Sequence, residues 1–242
     1  MFSFIWHTFF FDPVYNTLVF FIGHMPGGDV GLAIIATIIV VKVILLPLAI
    51  SAAKTQKIMR KMEPRLKELK ELHKDEKEKQ AKEMMQLYKE EKLNPFASIL
   101  LLFLQIPVII ALYFAVYSGG GVVLPEINVD LLYRFVMTPL EVSMQFLGRF
   151  DITGRSLFLA LGAGIAQYFY TAQTLPKLPP RDKEKAPDFK EDFTRNMHLQ
   201  MKYVMPILIT GIAFTLPAMI ALYFFVSNVV SIILEFYVKK HR

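Results

Sequence analysis

Lys42 has the most distinctive chemical setting in the chain, because it lies midway along an apolar run, residues 31–51, that holds no other charge. As an α-helix this run would be about 31 Å long, which is the thickness of a bilayer core. A charge at that depth costs about 2.5–3.5 kcal/mol on insertion scales, so it normally faces a partner or a water-filled cavity. A cation in a wet recess would attract acidic groups. The sequence therefore predicts a positively charged, hydrated cavity within the membrane.

Uncharged polar residues inside the other apolar runs are the next candidates. They recur at spacings of three, four or seven residues, which place them on common helix faces. They could line the same cavity as Lys42, or they could be ordinary hydrogen-bonded contacts between helices, worth about 0.6 kcal/mol each. The candidate groove residues are Lys42, Gln105, Gln167, Tyr170, Tyr223 and Ser227.

Enzymatic chemistry has little support in the sequence. The chain has no cysteine, its five histidines show no HExxH spacing, and there is no P-loop. We expect no Asp, Glu or His in the interior of any span, where a proton relay or a metal site would need them. Gly162-Ala-Gly164 follows no strand, so it indicates close helix packing rather than nucleotide binding. We therefore expect a protein that is not an enzyme and uses neither cofactor nor metal.

Composition places these residues in a membrane protein. The chain is 54% hydrophobic with a mean hydropathy of +0.42, which is too apolar for a soluble domain of this length. The charges are segregated: residues 52–94 hold 13 Lys/Arg and residues 176–202 hold 7. The net charge of +6 is thus better explained by membrane topology than by nucleic-acid binding.

The expected fold is an all-α membrane protein with five transmembrane helices and a cytoplasmic helical hairpin. Its segments are an outer interfacial helix in 1–28, transmembrane helix 1 at 29–51, the hairpin at 52–94, transmembrane helix 2 at 95–117, an outer loop at 118–153 with an interfacial helix near 131–148, transmembrane helix 3 at 154–175, a cytoplasmic loop at 176–197, which should be irregular, transmembrane helices 4 and 5 at 198–238, and a cytoplasmic tail at 239–242.

Prolines and apolar stripes set these divisions. Asp12-Pro13 should interrupt a spanning helix, so 13–23 is interpreted as an interfacial helix, with a frayed tail as the alternative. Pro47 should kink the end of the first span, and Asn94-Pro95 should end the hairpin. Pro217 divides a region too long for one crossing, with one long kinked helix as the alternative. The hairpin stripes are Ile58, Met62, Leu66 and Leu69, and Ala81, Met84, Met85 and Tyr88.

Charge counting predicts the orientation. The segments assigned to the cytoplasm, 52–94, 176–202 and the tail, hold 13, 7 and 3 of the 27 Lys/Arg residues, whereas the N-terminal segment and 118–155 together hold three. This bias predicts an N-terminus outside and a C-terminus inside the cell.

Six short stretches, in order, resemble the YidC-type membrane-protein insertases and their mitochondrial and chloroplast relatives. The stretches are DPVYN at 12–16, KVILLPL at 42–48, EMMQLY at 83–88, NPFA at 94–97, QIPVIIALY at 105–113, and Met205-Pro206 followed by PAMIALY at 217–223 and Ser227-Asn228. The resemblance implies a hydrophilic groove that opens to the cytoplasm and laterally to lipid. It also places Lys42 where the family usually carries arginine, which keeps the charge but loses the planar five-donor fork.

The leading functional hypothesis is an insertase of the bacterial plasma membrane that guides nascent transmembrane segments into lipid without nucleotide hydrolysis. Nascent membrane-protein chains and the lipid bilayer are the expected partners, the ribosome and the Sec translocon are further candidates, and a monomer is expected. One alternative is a small transporter or anion channel that uses Lys42 as a binding charge. A second alternative is an assembly factor that only holds other membrane helices.

Overall fold

The computed structural model describes residues 2–74, 76–91, 97–118, 121–175 and 189–240, and most of them are helical. The predicted break at Asn94-Pro95 lies outside these residues. The helices are α1 (Phe2–Trp6), α2 (Asp12–Ile22), α3 (Val30–Ile44), α4 (Leu46–Leu72), α5 (Lys77–Glu90), α6 (Ala97–Tyr117), α7 (Leu157–Thr174), α8 (Phe189–Leu199), α9 (Met205–Thr215) and α10 (Ala218–Lys240). An antiparallel pair of short strands, β1 (Gln145–Phe146) and β2 (Phe150–Asp151), lies between α6 and α7.

The chain divides into two compact units. The bundle unit comprises Met1–Val43 and Ile106–Glu235, and the hairpin unit comprises Ile44–Gln105 and Phe236–Arg242. The bundle unit has a hydrophobic core to which α2, α3, α6, α7, α9 and α10 contribute. The hairpin unit has a small core of its own, made by α4 and α5.

Among the described helices, the segment Ala218–Val238 is long and apolar enough to cross a bilayer alone. Val30–Ile44 and Leu46–Met59 reach that length only together, as one span broken at Leu45, while Phe103–Tyr117 is a shorter apolar helix. Pro47 lies in the first turn of α4, where its missing N–H is tolerated. An all-helical membrane architecture is supported, and the five-span topology stays a prediction.

The chain is already helical at Phe2, and Asp12-Pro13 does not interrupt it as predicted. A π-helical turn, His7–Phe11, joins α1 to α2 directly ahead of Pro13. In a regular α-helix the proline ring would clash with the carbonyl four residues earlier. The wider π turn absorbs this conflict, and the Asp12 N–H bonds to the His7 carbonyl instead. The N-terminal segment is therefore an ordered helix whose inner face enters the core.

The outer loop departs most from the prediction, because the helix expected near 131–148 is wrong. The segment holds one 3₁₀ turn, Val129–Leu131, and the β1–β2 pair. Besides local turns, its backbone bonds to residues far away in the sequence: the Val30 N–H donates to the Ser143 carbonyl at 3.0 Å, and the Ser143 N–H donates to the Gly28 carbonyl at 2.9 Å. Local periodicity could not reveal these long-range partners.

In the hairpin unit, α4 and α5 pack through the predicted α4 stripe and through Met84 and Tyr88 of the predicted α5 stripe. Met62, Leu66 and Leu87 are buried, whereas the predicted Ala81 and Met85 are exposed. At the turn, His73 Nε2 lies 2.9 Å from Glu83 Oε2 and ties the end of α4 to α5.

Two further predictions concern the connection at 176–197 and the division at Pro217. The predicted irregular connection at 176–197 is wrong for its C-terminal part, since Phe189–Leu199 is helical, while 176–188 lies outside the described residues. The helix breaks at Leu216, whose ψ of 164° is extended, so Pro217 separates α9 from α10 where the sequence placed a division. The long-helix alternative does not hold.

Close contact between α7 and α9 depends on Gly164. A Cβ added there would overlap Thr210 Oγ1 and would lie 3.0 Å from the Pro206 carbonyl oxygen. At Gly162, two residues earlier, an added Cβ would meet the Phe225 ring at an ordinary 3.5 Å. Of the two glycines in the Gly-Ala-Gly motif, only Gly164 sets the helix separation.

These glycines make a matched pair for a stability test. We expect Gly164→Ala to destabilise the protein by about 1–3 kcal/mol, because the overlap forces α7 and α9 apart. Gly162→Ala should be neutral or slightly stabilising, because helix propensity improves without a clash. Thermal unfolding of both variants in detergent would measure this difference. Equal melting temperatures for the two variants would contradict the assignment.

Candidate functional site

Lys42 lies on the protein-facing side of α3. It continues by one turn the buried stripe formed by Ile34 and Ile38, whereas Ile39 and Val43, on other positions of the helix, are exposed. The side chain itself is partly buried. A lysine on the buried stripe, rather than on the exposed side, is the placement expected of an intramembrane charge with a function.

Gln167 is the centre of a hydrogen-bonded chain between α7 and α10. The Asn228 amide donates to Gln167 Oε1 at 3.0 Å, and the Gln167 amide donates to Thr171 Oγ1 at 3.1 Å. Both ends of the Gln167 side chain are thus engaged within the protein. This geometry favours the helix-bridging interpretation for Gln167.

Tyr223 and Ser227 lie deep in the bundle unit. Tyr223 is 2% exposed and belongs to the hydrophobic core, and its hydroxyl shares a hydrogen bond with the Ser227 side chain one turn later on α10. Tyr170 is partly buried, and its backbone carbonyl accepts a bond from the Thr174 hydroxyl at 2.9 Å. Burial assigns Tyr223 a packing role in this conformation.

Gln105 belongs to the hairpin unit, whereas the other five candidates belong to the bundle unit. It is partly buried on α6 and shares a helix face with Ile109 and Leu112. Its participation in one groove with Lys42 stays a prediction.

Two polar residues of α10 lie outside the six candidate groove residues. Asn228, which belongs to the predicted polar face of the last span, is the residue that bonds α10 to Gln167. Glu235 is a carboxylate inside α10 that is only 9% exposed. The expectation that no span holds an interior carboxylate is therefore wrong, because α10 extends to Lys240 and encloses this residue.

Buried polar side chains on α2 fasten the outer loop. The Asn16 amide donates to the Leu131 carbonyl at 2.9 Å, and the Tyr133 N–H donates to Asn16 Oδ1. The Tyr15 hydroxyl accepts the Asn128 N–H at 2.9 Å. Burial raises the pKa of Tyr15, so this hydroxyl stays neutral. The DPVYN sequence therefore acts as an anchor for the loop.

A second anchor begins α3. Asp29 Oδ1 accepts the Leu32 N–H at 3.0 Å and caps the helix, while Asp29 Oδ2 accepts the Leu147 N–H at 2.7 Å. An added Cβ at Gly31 would overlap the Phe146 ring, so the strand pair sits directly against the start of α3. Helices α2 and α3 thus hold the two ends of the loop segment from Asn128 to Leu147.

A family model described as "60Kd inner membrane protein" matches residues 21–242. The chain belongs to this family. Relatives named "Membrane protein insertase YidC" agree with it: the protein of Ectopseudomonas mendocina is 28% identical over 240 residues, 99% of this chain and 35% of the relative, and that of Agrobacterium fabrum is 41% identical over 112 residues, 46% and 18% respectively. The predicted YidC-type resemblance is confirmed.

The chain spans 18–39% of the length of the first six relatives that it matches. It covers more of "Membrane protein insertase YidC 2" from Bacillus anthracis, with 27% identity over 239 residues, 97% of this chain and 81% of the relative. Membership of the YidC family also places the chain in a membrane.

The bridge between α7 and α10 can be measured by a double-mutant cycle. We expect Gln167→Ala and Asn228→Ala to show a coupling free energy of about 0.6 kcal/mol, the average for such bonds between membrane helices. Unfolding of the two single variants and the double variant in detergent would give this value.

Gln173 provides the matched control, because it also lies on α7 and its amide donates to a backbone carbonyl of α10, that of Ile232, at 3.4 Å. Gln173→Ala should be additive with Asn228→Ala. Additivity of Gln167→Ala with Asn228→Ala as well would mean that the bridge contributes no stability.

Proposed function

We propose that the chain is a membrane protein insertase of the bacterial plasma membrane, and that it guides nascent transmembrane segments from the cytoplasm into lipid. The family match across 21–242 carries this proposal. Five transmembrane helices, an outside N-terminus and an inside C-terminus belong to the same proposal, with α4 and α5 as the cytoplasmic hairpin. The chain acts as a monomer and hydrolyses no nucleotide.

The proposed groove lowers the cost of moving a polar tail part of the way through the membrane. A polar group transferred without partners into hydrocarbon costs several kcal/mol, so a hydrated recess with hydrogen-bonding walls reduces the barrier. The acidic tail of a client is drawn toward Lys42, and Gln105 and Gln167 supply amides for its backbone. The apolar segment of the client then partitions into lipid, and this burial drives the step.

The position of Lys42 on the buried stripe of α3 supports the electrostatic part of this mechanism. At an effective dielectric constant of about 20, a carboxylate about 12 Å from the ammonium gains about 1.4 kcal/mol, or about tenfold in a rate or an affinity. This attraction acts at a distance, so lysine can serve where relatives carry arginine, without the bidentate fork.

Charge substitution at Lys42 tests this mechanism. For a single-span client with an acidic outer tail, we expect Lys42→Ala to slow insertion by about tenfold, Lys42→Glu to slow it further, and Lys42→Arg to preserve it. Protease protection of the client tail in proteoliposomes would measure insertion.

Two controls isolate the charge effect. Lys240→Ala removes an exposed charge at the end of α10 and should leave insertion unchanged. A client with a neutral tail should be almost indifferent to Lys42→Glu. Equal insertion of the acidic client by the Lys42→Glu variant and the parent protein would refute the electrostatic role. Ion flux in liposomes without any client would instead favour the transporter or channel alternative.

The hairpin is the proposed receiving surface for clients as they leave the ribosome, with the Sec translocon as a further candidate partner. Replacing residues 54–92 with a short Gly/Ser linker should leave the bundle unit folded but reduce delivery of the client, because the bundle unit has its own core. Insertion and site-specific crosslinking from the hairpin to nascent chains would be measured together.

A point variant refines this test. Leu87→Asp should disrupt the small core between α4 and α5, because Leu87 is buried there, whereas Met85→Asp should be tolerated because Met85 is exposed. Undiminished insertion by the linker variant would remove the hairpin from the mechanism.

A further inference from the structure

A cavity of about 300 Å³ lies in the bundle unit between α2, α3 and the outer loop. Its walls include Phe20 and Phe21 from α2, Val40 from α3, and Tyr133 and Phe135 from the loop. None of the six candidate groove residues lines this cavity. Its lining is predominantly apolar, and no charged side chain contributes to it.

The polar side chains of α2 at the cavity are occupied by bonds within the protein. The Asn16 amide bonds to the Asp12 and Leu131 carbonyls, and its oxygen accepts the Tyr133 N–H. The Thr17 hydroxyl donates to the Pro13 carbonyl. A ligand in the cavity would therefore contact aliphatic and aromatic side chains. Such a site suits an apolar hydrocarbon chain and not an anion or a sugar.

The residues around the cavity indicate where such an apolar ligand would come from. Val43 lies one turn beyond Val40 on the same face of α3 and is well exposed on a membrane helix, where lipid covers such side chains. On the loop side, Phe135 is 72% exposed, Met137 is 86% exposed and Leu140 is fully exposed. Solvent-exposed clusters of this kind mark contact surfaces. The helix and the loop that line the cavity thus both carry exposed apolar side chains within a few residues of it in the sequence.

We propose that this cavity binds one acyl chain of a bilayer phospholipid, and that Phe135, Met137 and Leu140 enter the same leaflet beside it. The Asn16 anchor fixes the loop backbone at Leu131 and Tyr133, just before Phe135, which lowers the entropic cost of placing these side chains in the lipid. The proposal rests on membership of a membrane-protein family and does not depend on the insertase mechanism.

Lipid-borne quenchers test the proposal directly. Trp6 is the single tryptophan, so Phe135→Trp in a Trp6→Phe background gives one reporter at the cavity. In phosphatidylethanolamine and phosphatidylglycerol vesicles with brominated acyl chains, we expect this reporter to lose at least half of its emission relative to unbrominated vesicles. Glu126→Trp, at a charged and exposed loop position, should lose little.

Filling the cavity separates acyl-chain binding from general contact with lipid. Val40→Phe should abolish phospholipid that stays bound during native mass spectrometry, whereas Val43→Phe, one turn away on the exposed surface, should retain it. Melting temperatures would show that both variants fold. Should Val40→Phe not fold, Phe21→Trp serves as the filling variant.

Three outcomes would overturn the proposal. They are an unquenched Phe135→Trp reporter, equal lipid retention by the filled and unfilled proteins, and a reporter signal that follows the protein-to-lipid ratio instead of bromination. The last outcome would indicate that a second copy of the chain covers this surface.

Discussion

Hydrogen-bond satisfaction inside apolar surroundings is the constraint on which the bundle unit depends. Among the described residues, every buried side-chain nitrogen or oxygen atom has a hydrogen-bond partner. An unsatisfied polar group in such surroundings costs several kcal/mol. A buried polar side chain whose partner belongs to another segment therefore fixes the relative position of the two segments. Asn16 and Asp29 do so for the outer loop, and Asn228 does so for α7 and α10.

The same constraint separates two kinds of polar residue that look alike in sequence. Gln167 lies in a stripe typical of a groove lining, yet both ends of its amide are engaged by neighbouring side chains. Lys42 lies on the protein-facing stripe of α3, and a charge there can act at a distance, as no uncharged amide can. The electrostatic hypothesis consequently depends on Lys42 more than on the polar stripes.

Features determined by local sequence could be predicted well. Pro47 and Pro217 coincide with helix breaks, and the apolar stripe of α4 identified the packed side of the hairpin. Features determined by contacts between residues far apart in the sequence could not be predicted. The loop from 121 to 156 is held beside α3 because Gly28, Asp29 and Val30 bond to Ser143 and Leu147, on either side of β1, and no pattern within the loop records these partners. On α5, Leu87 is buried where the sequence predicted Met85. Both residues lie within one turn of Met84 and Tyr88, so spacing alone does not tell which of the two faces α4.

The candidate site was predictable in part. The charge of Lys42 could be recognised from an apolar run alone, whereas the engagement of Gln167 by Asn228 requires knowledge of which helices are neighbours. Glu235 was overlooked because the predicted end of the last span placed it near a boundary, and α10 continues past it. Burial of Tyr223 likewise depends on packing that a single helix cannot reveal.

The missing side chain at Gly164 also has a mechanical consequence. Thr210 Oγ1 and the Pro206 carbonyl oxygen occupy the space that a side chain at position 164 would fill, so α7 and α9 are closely packed there. This close contact is therefore expected to resist separation of α7 from α9. If the bundle opens sideways to release a transmembrane segment, the opening would have to form between helices other than α7 and α9.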